Sequence, residues 1–209
     1  MAHRARPVHK SRHPTHLTLR ALRRAPSLRG QRTFAIIQEV IEELGRDAAE
    51  AGAGFRVTHY SVQHDHVHLI VEANDGDELS SGARKLVIRI VRRFQERLGW
   101  RGPLWGDRYH RRDLTTPSEV RNCLVYLLQN VKKHAGLDRD VAMTDPCSSG
   151  PWFEGWAGPL PRPVRAEPPV AKPRTWLLTT GWMRLGLLRF EEAPAARRGH
   201  PRGSIRWRR

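Results

Sequence analysis

Apolar and polar residues alternate from His16 to Leu22, the pattern of a strand with one buried face. From about Gln31 to Ala51 the period changes. Phe34, Ile37, Val40, Ile41, Leu44 and Ala48 form one helical stripe, with Glu39, Glu42, Glu43 and Asp47 off it. Gly52 and Gly54 end that run. Alternation returns over Phe55–Val62 and His66–Ala73, joined by Gln63-His64-Asp65, which predicts a hairpin. Asn74-Asp75-Gly76-Asp77 reads as a turn. A second helix follows from about Glu78 to Leu98, burying Leu86, Val87, Ile90, Val91, Phe94 and Leu98. Leu104–Asp113 reads as a fourth strand. Thr116-Pro117-Ser118-Glu119 is a helix start: Thr116 caps, Pro117 takes the first helical position, and Glu119 completes a capping box. Val120, Cys123, Leu124, Leu127 and Val131 form the buried face of this last helix, and Gly136 is its natural stop.

The order β-α-β-β-α-β-α is that of an α+β chain. Its first six elements match a ferredoxin-like split βαβ sandwich, an antiparallel sheet with helices on one face. The final helix and a basic tail are additions. Residues 1–13 read as a basic, disordered arm and 14–145 as the folded domain. Residues 146–209 read as a Pro/Arg/Trp-rich extension. Within the extension, Pro159–Pro173 is an expected linker, 176–190 a short docked helix, and Arg197–Arg209 a second basic tail.

Composition narrows the class. No apolar run approaches the ~18–20 residues of a membrane span. Two cysteines, Cys123 and Cys147, make neither a disulfide framework nor a four-thiolate zinc site. The N-terminus lacks the apolar stretch of a secretion signal, so a reducing, intracellular setting is expected. The net charge of +16 is unevenly spread. Residues 1–38 hold nine basic residues and no acid, 39–156 hold 16 basic and 18 acidic, and 157–209 hold 12 basic and three acidic. A near-neutral body with two basic ends points to nucleic acid more than to a membrane surface.

Two features carry chemistry. In His66-Val67-His68, residues two apart on a strand point the same way, so both imidazoles converge beside the sheet while Val67 faces the core. The pair reads either as a metal site or as an exposed, satisfied pair; His64 shares the parity and joins if the strand starts early. On the last helix, Asn122, Tyr126, Gln129, Asn130 and Lys133 lie off the apolar face, with Tyr126 and Asn130 one turn apart. A tyrosine is a poor nucleophile at neutral pH, with a reference pKa near ~10. It becomes effective when the electrophile is pinned beside it and polarised by a metal. The other reading of Tyr126 is an aromatic packed at a seam. Two imidazoles and an amide oxygen suit Mg²⁺ or Mn²⁺ better than a closed zinc site.

Three blocks in order extend this pattern: His66-Val67-His68, Gly102-Pro103-Leu104-Trp105-Gly106-Asp107-Arg108-Tyr109-His110, and Tyr126-Leu127-Leu128-Gln129-Asn130-Val131-Lys132-Lys133-His134-Ala135-Gly136-Leu137. Together they resemble the single-tyrosine HUH transposases, most of all the REP-associated tyrosine transposases and their bacterial relatives. The resemblance covers about residues 14–138 and implies the ferredoxin-like sheet already read from the pattern. It implies that His66 and His68 bind a divalent metal, Mg²⁺ or Mn²⁺, and that Tyr126 is the nucleophile. Asn130 takes the third ligand position, with Gln129 as the competing assignment. Where the family often has Asn-Pro, this chain has Asn130-Val131.

The resemblance further implies a metal-dependent nickase and strand transferase acting on single-stranded DNA near hairpins, through a 5′-phosphotyrosine. Expected backbone contacts are Lys85, Arg89, Arg92, Arg93, Arg108, Arg111 and Arg112, with Trp105 and Tyr109 as candidates to stack on bases. The setting implied is the bacterial cytoplasm, at the nucleoid, with no membrane partner and either a monomer or a homodimer. The rival readings are a non-catalytic nucleic-acid-binding module, a decayed or domesticated transposase, or an RNA-binding protein on the same sheet.

Overall fold

The computed structural model describes residues 8–50, 52, 54–129, 144–160 and 167–192. The elements are β1 (Thr15–Arg20), α1 (Gln31–Glu50), β2 (Arg56–Val62), β3 (His66–Glu72), α2 (Gly76–Leu98), β4 (His110–Asp113) and α3 (Pro117–Leu128). The sheet order is β2-β3-β1-β4 with every neighbouring pair antiparallel. This is the split βαβ arrangement that the element order predicts.

The strands have two working faces. Leu17 and Leu19 of β1 and Val67, Leu69 and Val71 of β3 point into one core with the stripes of α1 and α2. Ile70 points the other way, into a second core built from α3 and the C-terminal segment. Strand β2 serves both layers through a bulge between Val57 and His59. The extra residue, Thr58, donates its hydroxyl to the Ile70 carbonyl at 2.9 Å. It lets Val57 and Tyr60 enter the same core although they are three apart. Simple alternation would have put them on opposite faces.

Helix α2 starts earlier than its apolar stripe suggests. The Asp75 carboxylate caps it by accepting the amides of Asp77 and Glu78. Gly99, at φ 64°, closes it in the left-handed region. The helix lies so close to β2 that a Cβ on Gly82 would stand 2.0 Å from Phe55 Cγ. Helix α3 is capped as predicted, with Thr116 Oγ1 accepting the Glu119 amide. The Glu119 carboxylate, however, accepts from the amide and hydroxyl of Thr115, one residue earlier than a capping box requires.

Four features differ from the sequence reading. The regular part of the fourth strand is only His110–Asp113. Thr18 pairs with His110 and Ala21 with Trp105, so Asp107–Tyr109 loop out between two short pairings to β1. The expected arm is shorter than 1–13, because His9 is buried, bonded to the Ala73 carbonyl and close to Asp113. Residues 1–7 lie outside the described residues, as do 193–209 with the second basic tail. The expected linker is in part docked: Val170 packs on the first core and Ala171 N donates to the Val57 carbonyl at 2.9 Å. The expected helix at 176–190 is two short helical turns, 177–181 and 182–185, carrying Trp182 into the second core.

Candidate functional site

The site forms on the sheet face that carries α3. Antiparallel pairing places directly opposed residues on one face. β3 therefore aligns His68 with Thr18 and Ile70 with His16, while β4 aligns His110 with Thr18 and Arg112 with His16. The two histidines of the HxH pair stand side by side, their rings 4.6 Å apart and nearly perpendicular. Val67 between them is fully buried in the opposite core, as its parity predicts.

Both imidazoles are oriented from behind. His66 Nδ1 meets Asp65 Oδ1 at 2.6 Å, which leaves Nε2 as its ligating nitrogen. Burial opposes ionisation of Asp65, but the His66 hydrogen bond and the Arg20 charge hold its carboxyl below the usual range. His68 Nδ1 lies 3.1 Å from Thr18 Oγ1 and 3.2 Å from His16 Nε2. Burial pushes His16 down to about 4, helped by the His110 and Arg112 charges, so this ring is neutral near pH 7. A neutral His16 can accept the Nδ1 proton of His68, the tautomer that leaves His68 Nε2 open for a ligand.

Tyr126 completes the group. Helix α3 buries Val120, Leu124, Leu127 and Leu128 against the sheet and the C-terminal segment, which leaves Tyr126 half-buried at the edge. Its hydroxyl lies 3.1 Å from His68 Nε2, and its ring stands edge-on to those of His68 and His16. A nucleophile-type oxygen and two imidazole nitrogens thus converge beside β3.

This donor set fits a divalent cation held through His66 Nε2 and His68 Nε2, each ring fixed by an outer hydrogen bond. Among the described residues, no group of three or more His, Cys, Asp or Glu side chains is placed to hold a metal. Among the described residues, a third protein ligand would be of another residue type. Asn130 lies outside the described residues. Gln129 caps the end of α3, is buried, and donates its Nε2 to the Arg189 carbonyl at 3.1 Å. Its Oε1 has no partner among the described residues, so the competing assignment of Gln129 as a ligand stays beside that of Asn130. His64 stays exposed in the turn before β3 and does not join the pair.

The expected DNA contacts divide sharply. Arg112 lies on the site face, in register with His16, and reaches Glu119 at the start of α3 at 2.7 Å. Burial works against Glu119, but the bonds from Thr115 and Arg112 draw it down to about 2. Arg111 points to the opposite face and binds Asp113 through two nitrogens at 3.0 and 2.8 Å. The expected row on α2 lies on the other face of the sheet from Tyr126, and part of it is paired with α1. Its Lys85 and Arg89 bind Asp47 of α1, and Arg93 binds Glu43. Arg92, on the same helix, and Arg108, in the loop beside Trp105, are likewise not brought to Tyr126. Trp105 and Tyr109 pack against the first core.

Sequence reasoning missed His16, Thr18, Asp65 and His110. Parity on β1 groups His16 with Thr18, but only the pairing of β1 between β3 and β4 brings them to the histidine pair.

The sequence profile of the IS200-like transposases matches residues 9–127, a span that includes His66, His68 and Tyr126 and stops before Asn130. A solved structure of a REP-associated tyrosine transposase bound to a REP hairpin is similar at 20% identity and a TM-score of 0.54, covering 71% of this chain and 82% of that one. A bacterial tRNA(His) guanylyltransferase-like protein in complex with GTP aligns at 14% identity and a TM-score of 0.45, over 62% of this chain and 67% of that one. No curated protein matches the sequence. No helix among the described residues is long and apolar enough to cross a membrane.

Proposed function

Because this chain belongs to the IS200-like transposase family, we propose that it cleaves and rejoins single-stranded DNA with Tyr126 as its nucleophile. The observation that carries the reading is the 3.1 Å approach of the Tyr126 hydroxyl to His68 Nε2, with His66 beside it. The phenol oxygen attacks a phosphodiester phosphorus and the bond to the 3′ oxygen breaks. The phenol gives up its proton, and the departing 3′ oxygen gains one. The products are a 5′-phosphotyrosine and a free 3′-OH. Attack by a 3′-OH on the phosphotyrosine reverses the step and joins strands.

His66 and His68 would hold Mg²⁺ or Mn²⁺, with Asn130 as the third protein ligand. Such a cation supplies charge to polarise the scissile phosphate. Asp65 and the Thr18–His16 pair keep the two imidazoles facing the reaction centre. Arg112 neutralises a backbone phosphate of the bound strand. The similar REP-associated transposase is bound to a hairpin, and we extend that substrate class, hairpin-forming single strands, to this chain. The described members of this group, His66, His68 and Tyr126, meet within one chain.

The test is incubation of the full chain with a pool of single-stranded hairpin DNA and Mn²⁺, beside Tyr126→Phe. A covalent protein–DNA adduct that disappears in the variant establishes nucleophile and reaction together. Hairpin binding without an adduct in either protein, across Mg²⁺ and Mn²⁺, replaces this reading with a non-catalytic nucleic-acid-binding module.

A further inference from the structure

One segment grips both halves of the site. Its first end is fixed to β3, the histidine strand. Glu72 is fully buried there, and its carboxylate accepts the Arg56 Nε–H at 2.8 Å and the amides of Arg174 and Thr175 at 2.9 and 2.7 Å. The next turns pack Leu177, Leu178 and Trp182 into the core that holds Leu124, Leu127 and Leu128 of α3. The far end is fixed to α3, the tyrosine helix. Arg121 binds both Glu192 oxygens at 2.7 Å and donates to the carbonyls of Gly186 and Leu187 at 3.0 and 3.2 Å. Gln129 donates to the Arg189 carbonyl at 3.1 Å.

Arg121 and Gln129 bracket Tyr126, one toward each end of α3. The remaining grip on the helix is the Arg112–Glu119 bond from β4 at its start and apolar packing with Ile70 and Leu114 in the second core. Apolar burial is non-directional and defines the rotation and slide of a helix only loosely. Hydrogen bonds of fixed geometry define both, above all a bidentate guanidinium–carboxylate pair. A hydroxyl that must meet a phosphorus opposite two imidazoles needs that definition, since a displacement of about 1 Å can cost about 100-fold in rate.

We propose that Arg174–Glu192 is a positioning strap, anchored on Glu72 of the histidine strand and on Arg121 and Gln129 of the tyrosine helix, that sets where Tyr126 stands against His68. Arg121, Gln129 and Glu192 are positioning residues; none touches the reacting atoms. The role in catalysis rests on Tyr126 being the nucleophile.

The chain has three tyrosines, so fluorotyrosine labelling gives three fluorine resonances that single Tyr→Phe variants assign. The full chain is compared with Arg121→Gln and with Glu192→Gln. The expected result is a moved or split Tyr126 resonance and an unmoved Tyr60 resonance. Adduct formation slows about 10- to 100-fold while hairpin affinity stays within about twofold. An unmoved Tyr126 resonance in both variants overturns the proposal, as does a moved resonance with full cleavage. If Arg121→Gln fails to fold, Glu192→Gln decides, because it keeps the Arg121 bonds to the two carbonyls. If the parent chain forms no adduct, the reaction assigned above falls, and the fluorine spectra still decide whether the strap places Tyr126.

Discussion

The Tyr126 hydroxyl and His68 Nε2 lie 3.1 Å apart although 58 residues separate them in the chain. The contact bridges a helix and a strand that meet only because α3 packs on the sheet face opposite α1 and α2. It places the one half-buried tyrosine of α3 against an imidazole whose other nitrogen is already held by Thr18 and His16.

In the proposed metal site, Asp65 would act on the cation through His66. Asp65→Asn keeps the shape but weakens the carboxylate–imidazole bond, and outer partners of this kind are worth about 10- to 100-fold in metal affinity or activity. The Mn²⁺ concentration for half-maximal adduct formation should rise by that factor. A titration with the same midpoint in both proteins excludes the role.

Arg112 and Arg89 make a matched pair of cations with opposite expectations. Arg112→Gln removes a site-face contact and should lower the slope of log affinity against log salt for single-stranded DNA by about 1. Arg89→Gln breaks ion pairs to Asp47 and Glu43 between α2 and α1. It should leave that slope alone and change thermal stability by about 1 kcal/mol or less, as part-exposed pairs do. Equal salt slopes in wild type and Arg112→Gln would remove Arg112 from the DNA path.

His59 gives stability a pH dependence. Its ring is buried against Phe153, its Nδ1 has no partner among the described residues, and burial lowers its pKa from 6.5 to about 4. The folded state therefore disfavours the proton more than the unfolded chain does. The resulting stability is complete above pH ~6.5 and is lost as pH falls toward 4, by an amount on the order of 3 kcal/mol. His59→Leu should reduce the slope of denaturant midpoints across that window, with His16, also lowered to about 4, supplying the rest. A variant with the same slope as the parent refutes the assignment.

Gly82 sets how closely α2 approaches β2. Gly82→Ala places a methyl 2.0 Å from Phe55 Cγ and so demands movement in a packed core. Overpacking of this kind costs about 1–3 kcal/mol, against a gain in helix propensity of at most about 1 kcal/mol. A lower melting temperature is expected, partly restored by adding Phe55→Leu. A melting temperature above that of the parent falsifies the argument.

Local periodicity determined much of this protein. The stripe of α1, the start of α3 at Thr116 and Pro117, and the shared face of His66 and His68 follow from backbone geometry over a few residues, which no distant contact has to supply. The family resemblance of the three motif blocks is equally legible, because each block is a short run of neighbouring residues.

Other features depended on partners far away in the chain. Alternation states which side a residue takes but not which strand lies beside it, so His16 and Thr18 became part of the site only once β1 paired with β3. The bulge at Thr58 reversed the parity of β2 halfway along, a change that no local pattern marks. The charge pattern of α2 does not reveal that Lys85, Arg89 and Arg93 stand opposite Glu43 and Asp47 of α1, since an ion pair is defined by distance in space. Helical phase puts Gln129 near the polar side of α3, and only the folded C-terminal segment brings the Arg189 carbonyl to its Nε2. Sequence alone determined the elements and the residue types able to do the chemistry. Tertiary structure alone decided which of them meet, because hydrogen bonds and ion pairs act over a few ångströms and the chain reaches those distances only when its layers close.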